Sequence, residues 1–145
     1  MQSRAPDDTS AESTGNKSEA RQFNLTDHAG VRLQVVWSRS GRTIGVGVIA
    51  PGFAQLGLDA SQAAELGAFL AQDPERRASI ELQDPENANA HIEAAWNHAA
   101  TRLMITMQPA SSTRWAAEGL PAVTLMMPEA RRLASFLNAG SPGPL

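Results

Sequence analysis

The chain has 145 residues, a net charge of −3 and a pI near 5.6. Hydrophobic residues make up 42% of it, enough to build a core, which excludes wholesale disorder. The absence of cysteine excludes disulfide scaffolds, Cys-ligated metal sites and thiol nucleophiles, and the acidic balance argues against a polyanion binder held mainly by net charge.

Residues 1–21 contain no Leu, Ile, Val or Phe and are predicted to be a disordered N-terminal tail. Asp7 and Asp8 stand where a secretory signal needs an apolar run. Gln2 follows Met1, so the glycine that myristoylation needs is missing. No stretch reaches the ~20 apolar residues of a membrane-spanning helix. A cytoplasmic protein without a membrane partner is the expectation. Eleven Arg against the single Lys17, with 25 Ala, suggest a GC-rich bacterial gene.

Gln22-Phe-Asn-Leu-Thr26 reads as a first strand, closed by the turn residues Asp27-His-Ala-Gly30. Val31, Leu33, Val35 and Trp37 then alternate with Arg32, Gln34 and Val36, the period of a half-buried strand. Ile44, Val46 and Val48 alternate with Thr43, Gly45 and Gly47 in the same way. Ala54 to Leu58 completes four strands. Asp59 is a plausible N-cap for a helix whose apolar stripe is Ala63, Leu66, Phe69 and Leu70. A short linker near Gln72 to Arg77 follows.

The pattern then repeats. Ala78 to Gln83 reads as a strand, Asp84 to Asn89 as a turn, and Ile92, Ala94 and Trp96 as one strand face. Leu103, Ile105 and Met107 form another face, and Ala122 to Met126 a last strand after a long loop, Pro109 to Pro121. The second helix has Pro128 in its first turn, a stripe of Ala130, Leu133, Phe136 and Leu137, and stop signals at Asn138 and Gly140. Its apolar residues match those of the first helix at a constant offset of 67. Trp37 and Trp96 each end a strand shortly before an arginine, Arg42 and Arg102 respectively.

The expected fold is α+β: tandem ββββα repeats, with antiparallel sheets each covered by a helix, forming a single pseudo-two-fold unit. Its folded part spans 22–139 (repeats 22–72 and 78–139), and residues 140–145 form a flexible C-terminal tail. In this element order the chain resembles the whirly and PUR-repeat proteins. The resemblance implies single-stranded nucleic-acid binding, or, by analogy with related folds of filamentous bacteria, a protein-adaptor role.

Gly45-Val-Gly-Val-Ile-Ala50 fits a loose dinucleotide pattern, but it sits inside an alternating strand and runs into Pro51-Gly52. Small residues lining a sheet face explain it. His91 and Glu93 share a sheet face and His98 lies in the next turn, a pattern of exposed polar positions more than a ligand set. No metal and no cofactor are expected. Ser and His are present without a nucleophile elbow, and the carboxylates Asp73, Glu75, Glu81, Asp84 and Glu86 read as a solvated linker region.

Arginines give the first functional expectation, a non-enzymatic module that engages single-stranded DNA or RNA on a sheet face. Arg32, Arg42, Arg102 and Arg114 are the candidates for phosphate contacts, and Trp115 for base stacking. Opposing this, residues 22–140 carry nine Arg and eleven acids. The alternative is a protein-interaction or scaffolding module, including a homo-oligomer. Met104 and Met126 should point away from the core faces of their strands, and Val36 and Ile49 do the same in the first copy. The outer faces are therefore not wholly polar, which suggests a surface buried by a partner. An enzyme is the third reading.

Overall fold

Period-two alternation in the sequence becomes strand pairing in both halves. The computed structural model describes residues 21–49, 53–108 and 121–144. Arg21 is therefore the one residue of the predicted N-terminal tail that lies inside the described residues. The first half comprises β1 (Gln22–Thr26), β2 (Arg32–Trp37), β3 (Thr43–Ile49), β4 (Phe53–Asp59) and α1 (Ala60–Ala71). The second comprises β5 (Ser79–Gln83), β6 (His91–Trp96), β7 (Arg102–Gln108), β8 (Ala122–Met126) and α2 (Met127–Asn138). Each half is an antiparallel four-stranded meander, with order β1-β2-β3-β4 in sheet 1 and β5-β6-β7-β8 in sheet 2. Residues Gly45 to Ile49 of the segment that fits the dinucleotide pattern lie in β3 and pair with β2 and β4, and Ala50 lies outside the described residues.

Equivalent strands coincide residue for residue in β2/β6 and β3/β7, so Trp37 matches Trp96 and Thr43 matches Arg102. This register corrects the pairing of Arg42 with Arg102. Arg42 stands one residue ahead of β3 and matches Thr101. β4 runs one residue further at each end than the apolar pattern marks, because the register of β3 carries it from Phe53 to Asp59.

The inner faces of both sheets and the stripes of both helices form one core. Leu33, Ile44, Leu58, Phe69, Leu103, Ile105, Leu125 and Leu133 are essentially inaccessible to solvent. The two helices pack on each other antiparallel. The Arg131 guanidinium donates to the carbonyls of Leu70 (3.0 Å), Ala71 and Gln72 (3.3 Å), while Asn138 Nδ2 donates to Gly67 O (3.2 Å). The carbonyls of Leu70, Ala71 and Gln72 are orphans of the C-terminal end of α1, which has no basic residue of its own there. A Cβ at Gly67 would overlap the Asn138 side chain and lie 3.0 Å from Leu137 Cβ, so glycine permits the close crossing.

The halves are also tied together by their turns. Asp27, after β1, accepts from Thr124 N on β8 through Oδ2 (3.1 Å). Asp84, after β5, accepts from Gly57 N on β4 through Oδ2 (3.0 Å). Gly57 and Thr124 are equivalent positions on edge strands, so each half covers an exposed edge donor of the other. Beyond α2, Gly140–Pro144 forms neither helix nor strand. The Arg21 guanidinium donates to Gly143 O (2.9 Å) and Ser38 O (2.6 Å).

Candidate functional site

With both inner faces turned to the shared core, the two outer sheet faces are turned to solvent. The outer face of sheet 1 carries Asn24, Gln34 and Gln55 around Gly45 and Gly47, with Arg32 at one end. Val36 and Ile49, both half-buried, lie on it too, so the face is mixed rather than wholly polar, and it is weakly charged.

Sheet 2 differs at the equivalent positions. Gly45 is matched by Met104, Gly57 by Thr124 and Asp59 by Met126. Met104 is 51% exposed and Met126 43%, the exposed large hydrophobic side chains of the described residues. Met104 pairs in register with Ala95 and Thr124, and Met126 with Arg102, which makes the two methionines diagonal neighbours on adjacent strands. The next row along the strands is acidic: Glu81 opposes Glu93 directly, and His91 Nε2 lies 3.2 Å from Glu81 Oε2.

The helix starts show what this divergence costs. Asp59 caps α1: its carboxylate accepts from Gln62 N (2.8 Å) and the Gln62 side chain accepts from Asp59 N (3.0 Å). At the start of α2 the reciprocal half is kept, with Glu129 Oε1 accepting from Met126 N (2.9 Å). Met126 itself supplies a thioether where a capping oxygen belongs and makes no side-chain cap hydrogen bond.

Two equivalent clefts open at the ends of the outer faces. One, of about 540 Å³, is lined by Trp37, Thr43, Gly45, Gln55 and Asp84. The other, of about 490 Å³, is lined by His28, Trp96, Asn97, Arg102, Met104 and Thr124. The Asp27–Thr124 hydrogen bond holds the β1–β2 turn against β8 and so brings His28 to the second cleft. Trp37 and Trp96 are buried, as their strand faces predict, and neither Nε1 has a hydrogen-bond partner among the described residues. Asp27 is the titratable group among the described residues whose pKa moves: burial pushes it up. The N–H groups of Thr124, Val31 and Ala29, with neighbouring His28, outweigh burial and hold it below the ordinary aspartate value.

The arginines singled out from the sequence do not gather into one site. Arg32 lies on the outer face of sheet 1 and Arg102 on that of sheet 2. Arg42 is exposed beside the β2–β3 turn, where its carbonyl accepts from Ala60 N (3.1 Å). Arg114 and Trp115 lie outside the described residues. Sequence reasoning found Met104 and Met126 but missed His28, which reaches its cleft through a contact between distant segments. It also missed the absent cap at Met126, although the offset of 67 already aligned Met126 with Asp59. No helix among the described residues is long and apolar enough to cross a membrane.

No protein-family model matches the chain, and a search of curated proteins finds no relative.

Proposed function

We propose that this protein is a non-enzymatic protein-binding module whose contact surface is the outer face of sheet 2. One observation carries the reading: the two exposed large hydrophobic side chains, Met104 and Met126, stand side by side on that face. Methionine adapts its shape to a partner surface, and covering its apolar side chain removes it from water. The glycine and aspartate at the equivalent positions of sheet 1 support the same reading, since an unused face has no need of methionine. The test is affinity capture from a cell lysate with wild type and with Met104→Glu as baits. Loss of specifically captured protein with the variant supports the reading. Identical captured sets refute it.

A second reading, single-stranded nucleic acid, has one observation in its favour. Arg102 and His28 line the same cleft as Met104, setting a guanidinium and an imidazole ring at the rim of an apolar floor, which suits a phosphate and a base. The resemblance of the element order to whirly and PUR-repeat proteins points the same way. Fluorescence anisotropy of labelled single strands at low and physiological salt tests it. Binding that weakens steeply with salt and with Arg102→Ala supports this reading, and no binding at low salt removes it.

A further inference from the structure

The chemistry of sheet 2's outer face identifies the kind of partner. We infer that the partner is a second copy of this chain, docked sheet 2 to sheet 2 about a two-fold axis. The inference rests on the protein-binding reading above and goes beyond it by naming the occupant.

Three observations support it. The first is the charge pattern. On the outer face, the row Ala95–Met104–Thr124 is flanked on one side by Arg102 and Met126. On the other side it is flanked by Glu81, Glu93, Thr106 and Ala122. A face-to-face two-fold axis lying along the Met104 row sets Met104 against its own copy. It sets Arg102 of each chain over Thr106 of the other, one strand from Glu93, a distance the long guanidinium side chain spans. Met126 then meets the small side chain of Ala122. Each charged side finds its complement in the same surface, as an isologous contact requires.

The second observation is the like-charge pair. Glu81 and Glu93 are opposed in register, a like-charge pairing whose contact within the chain is His91 Nε2, 3.2 Å from Glu81 Oε2. A guanidinium arriving from a second copy relieves it. The third is the forgone cap. At the position where Asp59 caps α1, Met126 leaves α2 without a capping oxygen and exposes an apolar side chain. A surface position that gives up stability in one half but not in its duplicate is explained when the methionine is buried by a partner.

The test is sedimentation velocity of the full chain over a wide concentration range, for wild type and three variants. Met126→Asp restores the cap seen in the first half, so at concentrations where both chains are monomeric it is expected to melt about 3–6 °C higher. Because the two-fold doubles every change, it should weaken dimerisation by about 100-fold or more. Arg102→Glu and Glu93→Arg should each weaken the dimer, and the double variant should recover most of the loss. A wild-type chain that stays monomeric at high concentration overturns the inference. So does a dimer indifferent to Met126→Asp, or charge variants without mutual rescue. The broader reading fails separately: if wild type is monomeric, lysate capture by wild type but not by Met104→Glu preserves protein binding through this face, and equal capture removes it.

Discussion

The cross-half hydrogen bond of Asp27 makes a quantitative demand. Its carboxylate accepts three backbone donors: Ala29 N and Val31 N on Oδ1, both at 2.9 Å, and Thr124 N on Oδ2 at 3.1 Å. The donors at Val31 and Thr124 are part-buried, while Ala29 N is exposed and can turn to water. Asp27→Ala therefore strands two donors, at about 1–1.5 kcal/mol each, for a loss of about 2–3 kcal/mol. Asp27→Asn keeps one oxygen and can serve the turn or the β8 edge but not both, because its NH₂ group is itself a donor. Its loss should be about 1–1.5 kcal/mol. The assay is urea unfolding followed by tryptophan fluorescence, which buried Trp37 and Trp96 report. The pH dependence has a definite sign. Because the folded-state pKa lies below the unfolded value, the contribution is complete at neutral pH and fades as pH falls through the folded pKa. Wild type and Asp27→Asn should thus begin to converge as pH falls below about 3.9, the unfolded aspartate value, and meet only below the lower folded pKa. Two variants equal to each other and within about 0.5 kcal/mol of wild type would refute the latch, as would a gap unchanged down to pH 3.

Three further outcomes follow from particular contacts. Gly67→Ala gains about 1 kcal/mol of helix propensity but drives its Cβ against Leu137 and Asn138, and overpacking should win by about 1–2 kcal/mol in urea unfolding. Arg131→Ala uncaps the end of α1 and should cost about 1 kcal/mol, with faster amide exchange confined to residues 68–72 as the signature. Asp59→Ala should cost about 1 kcal/mol and Met126→Asp should gain a similar amount by thermal melting, opposite signs at two equivalent positions.

The duplicated ββββα order was legible in the sequence because its signals are local. Alternating residues such as Leu33, Val35 and Trp37 can bury one face only as a strand. Asp59 marks a helix start by a hydrogen bond to Gln62 N three residues on, and Pro128 by its fixed φ and missing N–H, both local properties of the chain. Met104 and Met126 could be placed on the outer face for the same reason, since side-chain parity along a strand needs no knowledge of what lies beyond it. Tertiary structure decided which segments meet. That Asp27 reaches Thr124, that Arg131 caps the opposite helix, and that Arg32 and Arg102 sit on different sheets all depend on how one half packs on the other. The charge arrangement around Met104 is likewise a property of register. Glu93 lies one row from Met104 only because β6 pairs with β7 as it does. Periodicity says which side of a strand a residue takes, whereas its neighbours across strands and between halves are fixed by the closing of a core to which both halves contribute.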